Sequence, residues 1–155
     1  MSTCGDGYTN TIAGEQCDNS GGNDTATCNG NTAGSVSCHM STCGDGHVNT
    51  IAGEQCDQLG GGDTATCNGS AAGGASCHIS TCGDGYVNTA AGEECDRLGG
   101  SDTPTCNGRN AGSVSCQTSM CGDGYVNGAA NEECESNADC TMGNMRTCSD
   151  CKCIM

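Results

Sequence analysis

Oxygen-bearing side chains recur in register along the chain, with a spacing of 39 residues. Each repeat has an aspartate, an asparagine, a glutamate and a further carboxylate at matching positions, on segments rich in glycine. Calcium binds six to eight oxygens from carboxylates, amide carbonyls and backbone carbonyls in a flexible cage. The pattern therefore predicts one Ca2+ site in each repeat, formed by Asp6, Asn10, Glu15 and Asp18, by Asp45, Asn49, Glu54 and Asp57, by Asp84, Asn88, Glu93 and Asp96, and by Asp123, Asn127, Glu132 and Glu135.

A second interpretation of the same residues needs no ion. Asp and Asn side chains commonly accept hydrogen bonds from the backbone of their own turn, and the glutamates would then face water. The sequence leaves both interpretations open. Asp24, Asp63 and Asp102, each followed by a threonine, are predicted to cap turns.

Cysteines follow the same period, and their number is even. Eighteen cysteines in 155 residues exceed the density typical of a disulfide scaffold. Gaps of 13, 11 and 10 residues within a repeat differ from the paired knuckles of zinc sites. Disulfides are therefore predicted at Cys4, Cys17, Cys28, Cys38, Cys43, Cys56, Cys67, Cys77, Cys82, Cys95, Cys106, Cys116, Cys121, Cys134, Cys140, Cys148, Cys151 and Cys153.

The connectivity of these cysteines is open at this stage, because four cysteines allow three pairings and six allow fifteen. We expect pairing within each repeat, with Cys17 and Cys28 closing a short loop. Each such loop would contribute roughly 3 kcal/mol. A thiolate metal cluster is the alternative, and only Cys148, Cys151 and Cys153 are close enough in sequence to favour it.

The repeats divide the chain into four segments, at residues 1–42, 43–81, 82–120 and 121–155. The three full copies are identical at 24 of 39 positions and contain no insertions relative to one another. The fourth keeps the first half and shortens the second, as terminal repeats that cover an end often do, so we interpret it as a capping repeat. Cysteines of adjacent repeats lie only five residues apart, which favours a stiff rod.

The composition excludes a large hydrophobic core. The chain has no Phe or Trp, only three Tyr, and 27 glycines that increase the entropy lost on folding. We therefore predict a small disulfide-rich repeat protein, a linear array of four modules made mostly of loops and short β-hairpins. Extended segments are expected at residues 86–87 and 94–95, a strand at 113–116 and a hairpin turn at Asn107-Gly108.

One half of each repeat resembles a known family. Residues 82–96, with Cys-Gly-Asp-Gly-Tyr-Val-Asn followed by Gly-Glu-Glu-Cys-Asp, are similar to the cysteine-rich "CGDG...GEECD" tandem repeats of secreted and cell-surface proteins. The resemblance implies extracellular modules that bind calcium and have no assigned catalytic activity.

The remaining features point away from catalysis and from several partner classes. His39, His47 and His78 are replaced in other copies, so they are predicted to be surface side chains, and no catalytic residue or enzymatic activity is expected. A net charge of −15 argues against nucleic acid and anionic lipid. No segment is apolar enough for membrane insertion, no signal peptide is visible at the start of the chain, and a mature or trimmed product is expected.

These features together predict a structural, calcium-binding protein of the extracellular space or cell surface. Stable disulfides require an oxidising compartment. Short linkers favour self-association end to end into a fibre or matrix. The alternative is an adhesin that presents a face to a glycan or a partner, and glycans could also be attached at the sequons that begin at Asn23 and Asn68.

Overall fold

A computed structural model of the protein describes residues 3–141 and 147–155. The chain forms two compact units, Met1–Ser80 and Thr81–Met155, and the boundary falls next to the one predicted between the second and third repeats. The first unit contains two full repeats. The second contains the third full repeat and the capping repeat.

Regular secondary structure is short in both units, because glycines and disulfides interrupt the chain every few residues. In the first unit, 3₁₀ helices span Thr11–Ala13, Gly34–Val36 and Ser70–Ala75. In the second unit they span Thr89–Ala91, Gly112–Val114, Gly128–Ala130 and Asn137–Asp139. Strands β1 (Thr147–Ser149) and β2 (Lys152–Ile154) form an antiparallel pair.

The first 3₁₀ helix of a repeat is defined by residues at its two ends. Asn10 accepts a hydrogen bond from the backbone of Ala13, which caps the helix start. Gly14 ends it in the left-handed region, with φ of 94°. Asn131 takes the place of this glycine in the capping repeat, with φ of 63°, and asparagine is the other residue that adopts this conformation readily.

All eighteen cysteines lie in the described part of the chain and none is free. Each full repeat has an outer disulfide that joins its first and fourth cysteines and an inner one that joins its second and third. The outer pairs are Cys4–Cys38, Cys43–Cys77 and Cys82–Cys116, and the inner pairs are Cys17–Cys28, Cys56–Cys67 and Cys95–Cys106. Pairing is therefore within repeats, as predicted, with Cys17 and Cys28 closing the short loop.

The capping repeat keeps this frame with different loop lengths, since its outer disulfide closes 30 residues instead of 34 and its inner one closes 14 instead of 11. Cys121–Cys151 corresponds to the outer disulfide and Cys134–Cys148 to the inner one, and Cys140–Cys153 is additional. Cys151 has the same left-handed backbone as Cys38, with φ of 54° in both. Only Ser149 and Asp150 remain between the third and fourth cysteines of the frame.

The buried side chains are mostly sulphurs and amides instead of hydrocarbons. Cys38, Cys77 and Cys116 are 1% exposed, and six asparagines are not exposed at all. Ile12 is 99% exposed and Leu98 is 76% exposed. The prediction of a disulfide-rich, loop-dominated repeat protein without a hydrophobic core is confirmed.

Several predicted details of secondary structure are wrong. A 3₁₀ helix at Gly112–Val114 replaces the strand expected at 113–116, and residues 86–87 and 94–95 belong to no strand. Asn107-Gly108 is not a hairpin turn, because the Asn107 backbone pairs with Cys116 and Gln117. The hairpin turn of the second unit is Asp150-Cys151 instead, between β1 and β2, and both residues have the positive φ that a type I′ turn requires.

Candidate functional site at the repeat junctions

The first predicted calcium ligand of each repeat stabilises the Cys-Gly-Asp-Gly turn. The carboxylate of Asp6 accepts hydrogen bonds from the backbone of Thr3 at 3.3 Å and of Tyr8 at 3.0 Å. Its counterparts Asp45, Asp84 and Asp123 accept the equivalent pair of bonds. This carboxylate therefore holds its own turn.

The last predicted ligand closes the same turn from the other side. Asp18 accepts hydrogen bonds from the backbone of Gly5 at 2.7 Å and of Gly7 at 2.9 Å. Asp57, Asp96 and Glu135 do the same for their glycine pairs. Both glycines of the turn have a left-handed backbone, and the carboxylate accepts hydrogen bonds from their two N–H groups, which would otherwise lack a partner within the turn.

The asparagine and the glutamate of the predicted set also meet. The Oε2 atom of Glu15 accepts a hydrogen bond from the backbone of Asn10 at 2.6 Å. Glu54, Glu93 and Glu132 accept the same bond from Asn49, Asn88 and Asn127 at 2.8, 2.8 and 2.7 Å. The glutamates thus stabilise the entry to the 3₁₀ helix, a turn-stabilising role that the sequence assigned only to the Asp and Asn residues.

Close groups of potential metal ligands are dominated by sulphur. In residues 3–141 and 147–155, every group of three Asp, Glu, His or Cys ligand atoms within 4.8 Å of one another includes at least two cysteine sulphurs. These sulphurs are held in disulfides and cannot act as thiolate ligands. Calcium binding therefore stays a prediction.

Burial affects the glutamates most. Glu54 is 9% exposed and Glu93 is 8% exposed, and removal from water raises the pKa of both carboxyl groups. The negative charges of Asp57 and Asp45 raise the pKa of Glu54 further. In the second and third repeats, the two predicted aspartate ligands are thus close enough to repel the charge of the glutamate.

A buried asparagine joins the two repeats of the first unit. Asn49 is fully buried, and its Nδ2 group donates to the carbonyl oxygens of Thr25 at 2.9 Å and Cys28 at 3.4 Å in the preceding repeat. The same group donates to Oδ1 of Asn29 at 3.2 Å. On its other side, Oδ1 of Asn49 accepts from the backbone of its own repeat. One side chain therefore couples a turn in one repeat to the loop of another.

Two further contacts complete this junction. The amide of Asn29, itself fully buried, donates to Asp45 at 2.9 Å. His47 lies 3.0 Å from the carboxylate of Asp24, and both side chains are about four-fifths buried. The junction is thus a closed polar network in which each buried amide has partners, as buried polar groups require.

The second unit contains the same junction between the third repeat and the capping repeat. Asn127 donates to the carbonyl oxygens of Thr103 at 3.0 Å and Cys106 at 3.2 Å, and to Oδ1 of Asn107 at 3.1 Å. Asn107 donates to Asp123 at 2.8 Å. Tyr125 takes the place of His47, and its hydroxyl donates to Asp102 at 2.9 Å. The network therefore tolerates two different side chains at one position.

Titration of the junction residues reflects these contacts. A backbone hydrogen bond from Gly30 lowers the pKa of Asp24, and His47 lowers it further. Burial acts to raise the pKa of Asp123, but hydrogen bonds, with Asn107 the largest, outweigh it and the pKa is lowered. The hydrogen bond to Asp102 raises the pKa of Tyr125.

The linkers between repeats are fixed to the repeat that precedes them. The backbone of Met40 donates to the Gln16 side chain at 3.0 Å, and the backbone of Ser41 donates to the carbonyl of Thr27 at 3.0 Å. Residues 79–80 and 118–119 make the same pair of bonds in their own repeats. A linker with both donors bound has little freedom to bend.

Sequence reasoning found some of these residues and missed others. The turn-capping prediction for Asp24, Asp63 and Asp102 is correct, since each accepts a hydrogen bond from a glycine backbone at 2.7 Å. The surface prediction for His47 is wrong because of its contact with Asp24. Asn29 and Asn107 were not selected as site residues, although one signal marks them: Cys-Asn-Gly recurs in the full repeats and is lost in the fourth.

The sequon at Asn68 is not a modification site in the folded protein. Asn68 is fully buried, and a glycan cannot be attached to an amide without access to solvent. Asn23 is exposed.

Fold and site define a disulfide-rich, loop-dominated repeat protein with hydrogen-bonded junctions between repeats, of a kind that requires an oxidising environment. Comparisons of the chain with protein-family models, curated proteins and solved structures find no significant match. Within the described residues, no helix has the length and apolar character needed to cross a bilayer.

Proposed function

We propose that this chain is a structural protein of the extracellular space or cell surface, built to keep consecutive repeats in fixed register. The buried asparagine network of the junction carries this proposal. Independent modules on a flexible string would not require a fully buried amide that bonds at once to its own repeat and to the preceding one. A structural array does, because the cost of breaking such a network resists bending.

The disulfide pattern supports a role under load. In each full repeat the outer disulfide joins the first and last cysteines, so a pulling force passes through sulphur and bypasses the intervening loop. The Cα atoms of Cys4 and Cys38 are 5.6 Å apart, whereas the same 34 steps of extended chain would span roughly 120 Å. Unfolding an oxidised repeat therefore releases almost no length.

Electron microscopy of native cells and matrix tests the structural role. Gold-labelled antibodies should mark the cell surface or an extracellular assembly, and the cysteines of the recovered protein should be oxidised. Deletion of the gene should alter the morphology or mechanical strength of that assembly. Recovery of a reduced protein from the cytoplasm would contradict the proposal.

Calcium binding is the second part of the proposal. The burial of Glu54 and its repulsion by Asp45 and Asp57 support it, since a bound cation would relieve both. The hydrogen bonds that these carboxylates already accept from the backbone would have to be shared with the ion. Calcium would then strengthen turns that are complete in its absence.

Thermal melting at increasing Ca2+ concentration tests this part. Binding to the folded state raises the melting temperature with ion concentration, by a free energy of RT ln(1 + [L]/Kd). Mg2+ at equal concentration is the control for ionic strength, and Glu54→Gln together with Glu93→Gln should reduce the calcium response. Melting curves that are identical in millimolar calcium and in chelator would overturn calcium binding and leave the structural role untouched.

A further inference from the structure

The first repeat carries the same junction side chains as the repeats that follow it. We call Asp6, Tyr8 and Asn10 the leading face, because they occupy the positions of Asp45, His47 and Asn49 and of Asp123, Tyr125 and Asn127. In those later repeats the three side chains contact the preceding repeat. The leading face of the first repeat has no counterpart among the described residues.

The side chains of the leading face are more exposed than their counterparts in the second and fourth repeats. Oδ1 of Asn10 caps the 3₁₀ helix, as Oδ1 of Asn49 caps the equivalent turn, but the Nδ2 group of Asn10 donates to no residue in 3–141 or 147–155. Asn10 is half-exposed, whereas Asn49 and Asn127 are fully buried. Tyr8 is 72% exposed, whereas Tyr125 is partly buried against Asp102. The leading face is therefore a formed half of a junction.

The other half of the junction consists of the residues that the second and fourth repeats contact in the repeat before them. We call this set the trailing face. It consists of two backbone carbonyl oxygens and an asparagine side chain that accept hydrogen bonds from the asparagine of the leading face, and of an aspartate that contacts the His or Tyr side chain. It comprises Asp24, Thr25, Cys28 and Asn29 in the first repeat and Asp102, Thr103, Cys106 and Asn107 in the third. Both sets are already covered by the repeat that follows them.

The described part of the fourth repeat lacks the asparagine of the trailing face. Two residues, Ser149 and Asp150, remain where a full repeat has nine between its third and fourth cysteines. Ser149 follows Cys148 at the position where Asn29 follows Cys28. The last repeat of a second copy of this chain therefore lacks the amide that would donate to Asp6 and accept from Asn10 in head-to-tail growth through this junction.

We propose that the leading face docks on the trailing face of a further complete repeat, whose Asp-Thr-x-Thr-Cys-Asn-Gly segment is uncovered. The partner's asparagine would donate to Asp6, its two carbonyls and amide oxygen would accept from Asn10, and its aspartate would accept from the Tyr8 hydroxyl. The inference rests on the proposed structural function, because it names the partner through which this chain joins a larger assembly.

A full-length chimera supplies the missing face. Residues 134–155 are replaced by a copy of residues 95–120, so that the fourth repeat ends in a trailing face while the first keeps its leading face. Disulfide mapping by mass spectrometry confirms that the chimera is correctly paired. In sedimentation velocity, the chimera should form oligomers that lengthen with concentration, and the wild-type chain should not elongate through this face.

The wild-type chain provides a sharper readout when added to the chimera. It offers a leading face, but its last repeat has Ser149 in place of the trailing-face asparagine, so an excess should terminate growth and shorten the oligomers. The substitution Asn10→Asp keeps the helix cap but replaces the Nδ2 donor by a charged oxygen facing carbonyls. It should weaken termination at least about tenfold.

Gln16→Glu is the matched control, because it adds the same charge at a position where the third repeat already has Glu94. Glu94 makes the linker contact that Gln16 makes in the first repeat. This variant should terminate growth as the wild-type chain does.

An N-terminal extension keeps the inference testable if the chimera does not fold. A copy of residues 43–81 replaces residues 1–3 and precedes Cys4, with the native five-residue spacing between cysteines. The Asn10 side-chain amide should then exchange with solvent at least about tenfold more slowly by NMR than in the wild-type chain. Unchanged exchange would overturn the fit of the two faces.

A correctly paired chimera that stays monomeric, or one whose oligomers are terminated equally well by Asn10→Asp, would overturn the docking proposal. Either result leaves the structural function standing, since that is judged by location and morphology. Recovery of a reduced cytoplasmic protein would instead remove the structural function, even if the two faces bind in solution.

Discussion

The asparagine amide is suited to the junction because it is neutral and carries both a donor and an acceptor. In Asn49 the acceptor is used inside its own repeat, on the backbone of Ile51 and Ala52, and the donor is used across the junction. A charged carboxylate at this depth would have to be desolvated, and an apolar residue would remove the donor that the preceding repeat receives at Thr25, Cys28 and Asn29.

Asn49→Asp tests this dual role against Asn10→Asp. Both variants keep the oxygen that caps the following turn, which is a 3₁₀ helix after Asn10, but only the first loses hydrogen bonds to a preceding repeat. We expect a loss of about 2–4 kcal/mol for Asn49→Asp and less than about 0.5 kcal/mol for Asn10→Asp, measured by guanidinium unfolding. Equal losses would show that capping, not coupling between repeats, is the function of this asparagine.

Glu54→Gln tests the effect of burial on a carboxylate. The pKa of Glu54 is raised above its ordinary value of 4.5, so its contribution to stability is complete below that value and is lost as pH rises through the folded-state pKa. Glutamine keeps the oxygen that accepts from Asn49 and stays neutral. We expect a higher melting temperature than wild type at neutral pH and no difference below about pH 4.

Glu133→Gln is the control for this experiment. The pKa of Glu133 is lowered, chiefly by its hydrogen bond to Lys152, so the sign of its pH dependence is opposite. Its contribution is present above 4.5 and lost as pH falls through the folded-state pKa. This variant should not gain stability at neutral pH. A gain for both variants would indicate only relief of the net negative charge.

Among the structural elements, the Cys-Gly-Asp-Gly turn depends on a close approach of two backbone segments. Gly44 has φ of 100°, and a Cβ atom on it would lie 2.6 Å from the Cα atom of Gly61. The counterpart in the capping repeat, Gly122, has φ of 94°, and no atom of the described residues lies within 4 Å of such a Cβ. The capping repeat thus keeps the turn without the close glycine neighbour that Gly44 has in the described structure.

Gly44→Ala and Gly122→Ala therefore separate backbone strain from steric overlap. Both place alanine in the left-handed region, which costs about 1–2 kcal/mol. Gly44→Ala should cost a further 1–3 kcal/mol, roughly, because backbone atoms must move apart. Melting temperature and the yield of correctly paired protein measure the difference. Equal effects would mean that the neighbouring loop yields without cost.

For the whole molecule, disulfides and polar networks take the place of a hydrophobic core. The large aliphatic side chains are mostly exposed, and folding has to offset the entropy of a chain with 27 glycines. Nested disulfides reduce that entropy in the unfolded state, by roughly 3–4 kcal/mol for each loop taken alone. The net charge of −15 further disfavours a compact reduced chain.

Complete reduction should therefore unfold both units at room temperature, with loss of amide protection by hydrogen exchange and mass spectrometry. Removing only the additional disulfide, by Cys140→Ser together with Cys153→Ser, should leave protection unchanged in residues 3–120, since the outer and inner frame of every repeat is retained. Persistent protection after full reduction would show that the polar networks suffice without the disulfides.

The cysteine period and the scarcity of aromatic and large aliphatic residues were enough to predict a stapled repeat fold, because the composition offers little hydrophobic burial. Pairing within repeats was an expectation that the spacing left open, since four cysteines allow three pairings and, among the full repeats, the cysteines of adjacent repeats are the nearest in sequence. The turn-stabilising roles of Asp6 and Asp18 could be anticipated as one of two interpretations, because both are local to their own repeat.

Contacts between repeats could not be predicted, because they depend on which side chains two folded modules bring together. Asn107 precedes Gly108 and has the local signature of a hairpin turn, yet it is fully buried against Asn127 and Asp123. The tertiary structure overrides this local preference because a buried amide with several partners outweighs the preference of one dipeptide for a turn. The same contacts distinguish the open leading face from the closed capping repeat.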